Sequence, residues 1–297
     1  MDNEPSWELY RSYLSVLQKG SLSGAGRALG LAQPTVGRHI EALEKSLGFS
    51  LFTRSQLGLI PTPAALELKP YAEAMDSSAA ALMRAAESQG DVKGAVRISA
   101  SEIIGAEVLA PIVTQLRTTH PGLKIELALT NRVQDLLLRE ADIAIRMTKP
   151  LQDALIARRV GVVELGLHAH SHYLQQHGTP ESLAELARHA LIGFDAETPF
   201  LRAASKALPG WNRDAFALRT DSDLAQLALI RAGAGIGICQ VALARRAPEL
   251  IRVLGDEFSF PLETWVTMHE GLRDSSRCKA VFDAMFIGLQ TYLDKAT

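Results

Sequence analysis

The sequence is short of the features that would assign it at once to several common classes. It holds only two cysteines, Cys239 and Cys278, among 297 residues, and these cannot form a disulfide framework or a cysteine-only zinc site. The first ten residues include three acids and no apolar run, so they do not resemble a secretory signal. The most apolar stretch, 224–244, is interrupted by Arg231 and three glycines, which favours a buried helix followed by a strand over a membrane span. A cytoplasmic protein with reduced thiols is predicted.

The chain also lacks an excess of charge of either sign. Its 31 basic and 33 acidic side chains leave a formal charge of −2, which argues against a protein that coats nucleic acid or an anionic membrane through its overall charge. Any DNA-binding surface must therefore concentrate its basic groups locally. Hydrophobic residues make up 47% of the chain, which is enough for folded cores and too much for intrinsic disorder. The length suits about two domains.

Three segments differ in pattern along the chain. Residues 1–62 are predicted to be helices joined by short turns, 63–90 one alanine-rich linker helix, and 91–297 alternating strands and helices. The third segment predicts an α/β domain whose helices cover a mixed or parallel sheet. Its length suits two lobes with a cleft between them, one built from 91–163 with 267–297 and the other from 164–266. The fold class is therefore α/β with an all-α N-terminal part.

The linker helix has a recognisable start and one apolar stripe. Thr62 is a good N-cap and Pro63 suits the first helical position, whereas Pro70 leaves open a kink or a later start. Small and large apolar side chains alternate at heptad spacing, which favours a helix that pairs with a second copy over one that packs only on its own domain. The predicted dimerisation residues are Leu68, Ala72, Met75, Ala79, Leu82 and Ala86.

The segment 22–47 has the pattern of a helix-turn-helix unit. A short amphipathic helix, 22–29, precedes a turn at Gly30-Leu31, and a second helix with Pro34 near its first position follows. Apolar side chains at 36, 40, 43 and 47 are predicted to face inward. The outward face would carry four side chains that hydrogen-bond base edges or phosphates, namely Gln33, Thr35, Arg38 and His39.

Residues 28–48, which read ALGLAQPTVGRHIEALEKSLG, resemble the signature of LysR-type transcriptional regulators. The flanking segments 20–25 and 51–54 resemble the same family, as do 120–123, 141–146 and 233–237. The resemblance implies a winged helix-turn-helix, a dimerising linker helix and a two-lobed effector domain like a periplasmic binding protein. It also implies dimers or dimers of dimers (homotetramers) on double-stranded DNA, with a partly palindromic operator. The DNA-binding residues expected on this basis are Ser23, Gln33, Pro34, Thr35, Arg38, His39 and Arg54.

The sequence departs from the family pattern where DNA affinity is concerned. Ala32 stands where the family usually has Ser or Thr, so the second helix loses a side-chain cap worth about 1 kcal/mol. Gly37 replaces a frequent serine and costs about 1 kcal/mol of helix propensity. The wing, 55–60, is apolar where basic residues are common, and residues 1–60 carry a net charge of only +1, from six basic and five acidic side chains. We therefore expect modest affinity per subunit and reliance on oligomerisation.

The effector is expected in the cleft between the lobes. Ligands of such domains bind beyond the carboxyl ends of strands, where helix N-termini converge. Ser101 is a natural N-cap, and the resemblance implies that it also touches the effector. Glu102 already brings a negative charge there, while Arg146 could bind a carboxylate or pair with Glu102. Thr220-Asp221-Ser222 precedes another predicted helix. The candidates are Ser101, Glu102, Thr130, Asn131, Arg146, Phe194, Asp195, Asp221 and Gln240.

Other signals weigh little beside these. The glycine run 233–237 follows a helix and opens a strand, the reverse of the order in a dinucleotide-binding loop. His168, His170 and His172 alternate like metal ligands on a strand, but a structural or surface role is favoured, and redox sensing by a cysteine stays open. We expect no metal, no cofactor and no catalytic residues: a regulator that binds DNA and a small metabolite, not an enzyme. The alternative is a small-molecule-binding or enzymatic two-lobed α/β protein with an unrelated helical N-terminus.

Overall fold

A computed structural model describes most of the chain, namely residues 5–55, 58–86, 92–131, 141–150 and 154–294. Within these ranges the contacts divide the protein into one unit that ends at Ala85 and a second that begins at Ala86. None of the helices in these ranges is both long and apolar enough to cross a membrane.

The first unit is a helical domain with a small hairpin. Its elements are α1 (Trp7–Lys19), α2 (Leu22–Leu29), α3 (Gln33–Leu47), β1 (Phe52–Ser55), β2 (Gly58–Pro61) and α4 (Pro63–Ala86). The two predicted helices of the helix-turn-helix are confirmed as α2 and α3. Between them Gly30 takes a left-handed conformation, with φ +68°, that ends α2 and turns the chain. The antiparallel pair β1–β2 forms the wing, and the core of the unit includes Val16, Val36 and Leu43.

The linker helix α4 begins where predicted. The Thr62 hydroxyl accepts a hydrogen bond from the Ala65 amide at 3.2 Å, and the helix continues through Pro70 without ending there. Residues 87–90 of the predicted linker lie outside the described ranges.

The apolar stripe of α4 is divided along the length of the helix, which corrects the predicted seam at its first two residues. Ala72 is 3% exposed and belongs to the core of the first unit, and Leu68 packs against that core. Other apolar side chains of the helix are exposed, namely Leu66, Tyr71, Met75, Leu82 and Met83. Met75 and Leu82 therefore remain candidates for pairing, whereas Leu68 and Ala72 hold the helix to its own domain.

The second unit is built on a nine-stranded mixed sheet. Its strands are β3 (Gly94–Ala100), β4 (Leu123–Leu129), β5 (Ile143–Arg146), β6 (Leu155–His170), β7 (Leu191–Gly193), β8 (Phe216–Arg219), β9 (Ile236–Gln240), β10 (Leu250–Val253) and β11 (Phe260–His269). They lie in the order β4-β3-β5-β11-β6-β9-β7-β8, with β10 paired to β6.

The helices that cover this sheet are mostly short. They are α5 (Ala110–Thr119), α6 (Ser171–His177), α7 (Pro199–Ala207), α8 (Asp223–Arg231), α9 (Val241–Ala244) and α10 (Ser276–Asp294). A π-helical turn, Ile104–Leu109, leads into α5 and is called the π turn below. Three short 3₁₀ turns lie at Leu183–Arg188, Arg213–Ala215 and Glu270–Leu272.

Two of the hydrophobic clusters in this unit define what we call lobe one and lobe two. Lobe one packs around Ile98, Val266 and Phe282, and lobe two around Leu167 and Trp211. The long antiparallel pair β6–β11 runs through both lobes and joins them, with a register irregularity between residues 264 and 265 where a bulge bends the strands. The run 224–244 is confirmed as a helix followed by a strand.

Candidate functional site

The exposed side of α3 carries most of the predicted DNA-binding side chains. Gln33, Pro34 and Arg38 are exposed and Thr35 is half-buried, and one guanidinium nitrogen of Arg38 donates to the Thr35 hydroxyl at 3.3 Å. Ala32 precedes the helix and supplies no side-chain cap. In this first turn Pro34 carries no amide hydrogen, and the Thr35 amide donates to the Ala32 carbonyl at 2.9 Å.

His39 contacts a neighbouring helix. Its Nδ1 is 2.7 Å from the hydroxyl of Ser12 in α1, and Ser12 is 1% exposed. The half-buried ring therefore contacts α1 from the side of α3, and its role in DNA binding stays a prediction. The sequence pattern gave no sign of this contact, because Ser12 and His39 are far apart along the chain.

Two further predicted DNA contacts lie outside α3. Ser23 is half-buried in the first turn of α2. Arg54 lies in β1 opposite Leu59 of β2, but its side chain is outside the described part of the protein. Both remain predictions on the basis of the family resemblance.

In lobe one, the candidate effector residues gather at the carboxyl ends of β3, β4 and β5. The Asn131 side-chain oxygen accepts a hydrogen bond from the Glu102 amide at 3.3 Å, and the Thr130 amide donates to the Ala100 carbonyl. The Arg146 guanidinium donates to the Ser99 hydroxyl at 2.9 Å and to the Ser99 carbonyl at 3.3 Å. Arg146 is therefore anchored to its own lobe.

Glu102 bridges the two lobes. One of its carboxylate oxygens accepts a hydrogen bond from the Ser222 hydroxyl at 2.8 Å and from the Leu224 amide at 3.3 Å. Ser222 also caps α8 through the Ala225 amide. The carboxylate from lobe one thus occupies the N-terminus of α8 in lobe two, where the helix dipole favours negative charge.

Asp223 lies beside this bridge and was absent from the predicted set. Burial, followed by repulsion from Glu102, raises the pKa of Asp223 from its ordinary 3.8 to about 6, and a hydrogen bond with Asn131 partly opposes this shift. Two carboxyl groups from opposite lobes therefore meet in the cleft. The N-cap pattern of the 220–222 segment was the available signal for a site at the start of α8.

Two more polar contacts join the lobes away from Glu102. Arg231 at the end of α8 binds both carboxylate oxygens of Glu107, at 2.7 and 2.9 Å, and this hydrogen bonding lowers the pKa of Glu107. The Tyr292 hydroxyl donates to the side-chain oxygen of Gln240 at 2.7 Å. Gln240 is 7% exposed and joins β9 to α10 in this structure, and its contact with an effector stays a prediction.

In lobe two, the remaining candidates also lie together. The Asp221 carboxylate accepts hydrogen bonds from the amides of Asp195 and Ala196, at 3.1 and 2.8 Å, and Arg213 binds the Asp195 carboxylate at 2.8 Å. Phe194 contacts Phe200 edge to face, and Phe200 contacts Phe260 in the same way. An apolar wall and a polar rim therefore adjoin at the end of β7.

The sequence matches two family models that together span most of the chain. The model described as "Bacterial regulatory helix-turn-helix protein, lysR family" matches residues 7–66, and the one described as "LysR substrate binding domain" matches 89–286. The chain belongs to the LysR family. It is therefore a DNA-binding transcriptional regulator that responds to an effector, not an enzyme.

Individual relatives agree over different lengths. The HTH-type transcriptional regulator YhjC of Escherichia coli is 29% identical over 294 residues, which is 95% of this chain and 97% of that one. The regulator CrgA of Neisseria meningitidis is 28% identical over 61% of each chain. Full-length AphB of Vibrio cholerae shares the fold with a TM-score of 0.61 at 23% identity, over 95% of this chain and 99% of that one. CbnR, solved with its target DNA, shares the fold with a TM-score of 0.65 at 19% identity, over 96% of this chain and 100% of that one.

The signals discounted from sequence have structural explanations in this LysR-family regulator. Burial lowers the pKa of His168 to about 4, so its ring is neutral, and its Nδ1 lies 3.0 Å from the Gly166 carbonyl. No group of three potential metal ligands occurs among the described residues. Both cysteines are buried, and burial raises the pKa of Cys239 to about 12, which argues against a reactive thiolate there.

Proposed function

We propose that this regulator binds a partly palindromic operator as a dimer or dimer of dimers, and that a small metabolite held between the lobes controls it. The observation that carries the proposal is α3, an uncapped helix whose exposed side presents Gln33 and Arg38. Both side chains can pair with base edges in the major groove. Its action on chromosomal DNA would place the protein in the cytoplasm.

Replacing Arg38 with alanine is expected to weaken specific DNA binding far more than replacing Lys45. Arg38 lies in the first half of α3 on its exposed side, whereas Lys45 is exposed in the last turn. Losing one good base contact costs about 1–3 kcal/mol, which is roughly a 5- to 150-fold loss of affinity. Gel-shift titrations at fixed salt on the DNA upstream of the regulator's own gene measure both variants. Equal losses would contradict the assignment of Arg38.

Support for self-pairing comes from an apolar groove of about 800 Å³ in the first unit. The start of α1 and the middle of α4 form it, and its lining residues are Trp7, Pro70, Tyr71, Ala74, Met75 and Ser78. Tyr71 is 72% exposed and Leu82 65%, so this apolar surface is larger than a single domain needs to leave open. A second copy of α4 supplies a matching apolar face, because a two-fold axis pairs a surface with itself.

Met75→Asp is expected to break this dimer. Met75 lines the groove, and burying one methionine side chain contributes about 1.5 kcal/mol or more. Two-fold symmetry repeats the loss, so the dimer dissociation constant should rise by about a hundredfold or more. Sedimentation equilibrium measures it. Lys69→Asp is the control, since Lys69 is exposed on the same helix and forms an exposed ion pair with Glu73; a similar rise in both variants would place the interface elsewhere.

The proposed effector site lies between the two lobes and includes residues from both. Ser101, Glu102 and Asn131 approach from lobe one, and Phe194 and Asp221 from lobe two. Arg146, the candidate for binding an effector carboxylate, is already engaged by Ser99. A ligand that enters between Glu102 and α8 must separate the hydrogen bonds that now join the lobes. Effector binding is therefore expected to be coupled to their separation.

A further inference from the structure

The π turn occupies an unusual position in lobe one. It lies between β3 and α5, and its residues Ile104, Val108 and Leu109 are buried in the core of that lobe. A π turn closes hydrogen bonds between residues five apart instead of four. Such turns are rare in proteins, and those that occur often lie at functional sites.

Two glutamates, one just before the π turn and one within it, contact lobe two at the two ends of α8. Glu102, just before the π turn, accepts hydrogen bonds at the N-terminus of α8. Glu107, within it, binds the guanidinium of Arg231 at the other end through both oxygens. A bidentate pair of this kind fixes orientation as well as distance.

The backbone of the π turn also hydrogen-bonds to lobe two. The Glu107 carbonyl accepts a hydrogen bond from Arg246, just beyond α9 of lobe two, at 3.4 Å. Glu107 therefore contacts lobe two through its side chain and its main chain. Three groups on one short segment of lobe one are bound by the other lobe.

The wider turn explains how Glu102 and Glu107 reach the same helix. In an α-helix the side chains that lie side by side are three or four positions apart, and two residues five apart point to different sides. Glu102 precedes the π turn and Glu107 lies within it, and the wider turn brings residues five apart toward one side. Rewinding this segment to an α-helix would move Glu107 away from Arg231 while Glu102 stayed in place.

We propose that the π turn is a clasp that holds the two lobes closed on α8, and that its loosening opens the effector cleft. The clasp consists of Glu102, the π turn with Glu107, and Arg231. It rests on the proposed function in one respect, since the cleft that it closes is the proposed effector site. Interface elements of this kind switch between discrete arrangements because packed surfaces do not deform continuously.

Hydrogen–deuterium exchange of the full chain, without DNA or effector, tests the clasp. Arg231→Gln and Glu107→Gln each remove the ion pair and keep the side chain's approximate size. Each is expected to raise exchange at least tenfold both in α8 and in the π turn, because local opening exposes amides that the closed state protects. Arg231→Lys should give a smaller rise, since lysine keeps the charge but not the two-pronged donor. Arg158→Gln, which breaks an exposed pair with Asp283 inside lobe one, should leave both segments unchanged.

Strand β3 reports whether lobe one itself has loosened. Its exchange should stay at the wild-type level in all four variants. Wild-type exchange of α8 or of the π turn in both glutamine variants would overturn the clasp, and so would an equal rise in β3 in both. Gel shifts of Arg38→Ala test DNA recognition separately, so failure of the clasp and failure of the proposed function give different results.

Discussion

Replacing Gly235 with alanine is expected to lower the free energy of unfolding of lobe two by about 3 kcal/mol or more. A β-carbon at this position would lie 2.2 Å from the Ala190 carbonyl oxygen and 3.0 Å from its carbon. Both are backbone atoms, so no side chain can rotate away. The same carbonyl accepts the hydrogen bond from the Ile236 amide that begins the pairing of β7 with β9, and relief of the clash would separate these strands.

Urea denaturation followed by tryptophan fluorescence measures the loss, since Trp211 is buried in the core of lobe two. Gly210→Ala is the matched control, because Gly210 has a left-handed backbone (φ +85°) but no atom within 4 Å of an added β-carbon. The free energy of unfolding of the control should fall only by the roughly 1–2 kcal/mol that the left-handed conformation costs a non-glycine residue. Equal losses in the two variants would show that the close approach to Ala190 does not matter.

The second large effect concerns Asp223 and pH. Burial and the neighbouring Glu102 raise the pKa of Asp223 to about 6 in the folded protein, against 3.8 ordinarily. The folded state therefore binds this proton more tightly than the unfolded state, so Asp223 destabilises the fold as pH rises from about 4 to 6. Above pH 6 the penalty is fully present, and a shift of this size corresponds to about 2–3 kcal/mol.

Asp223→Asn should remove this penalty. The variant is expected to be more stable than the wild type by about 2–3 kcal/mol at pH 7.5, and the difference should vanish toward pH 4. Subtracting the two pH profiles is essential because His168, whose pKa falls to about 4, contributes stability of the opposite pH dependence to both proteins. Chemical denaturation at a series of pH values gives the difference curve.

A second variant identifies the cause of the shift. In Glu102→Gln the charge that repels Asp223 is gone, so the pKa of Asp223 should fall. The stability difference that Asp223→Asn makes in this background should therefore develop at lower pH. The pKa should stay above the ordinary value, because burial is the larger cause. A difference between wild type and Asp223→Asn that does not change with pH would contradict the assignment.

The helix-turn-helix could be predicted from sequence almost to the residue. Helices α2 and α3 begin and end through local signals, such as the cap at Ser21, the proline at the start of α3 and the glycines at 30 and 48. The inward set was also correct: Val36 and Leu43 are fully buried. These features depend on neighbours within one or two turns, which is the range over which a sequence pattern carries information.

The stripe on α4 shows where such a pattern stops being sufficient. Heptad spacing predicted one apolar face, and α4 does carry it, but Leu68 and Ala72 pack into the domain's own core while Met75 lines an open groove. Periodicity indicates that side chains are buried, not what buries them. The same limit applies to His39, whose partner Ser12 lies in a different helix.

By itself the sequence determined the family, the positions of the helices, the α/β alternation and the groups at strand ends where a cleft forms. Only the tertiary structure decided which of those groups bind each other. Glu102 caps a helix 120 residues away, Gln240 is buried under Tyr292, and Asp223 shares the cleft with Glu102. Local signals fix secondary structure because they act through adjacent turns of backbone. The partners and the protonation of a side chain depend on groups that folding brings together from distant parts of the chain.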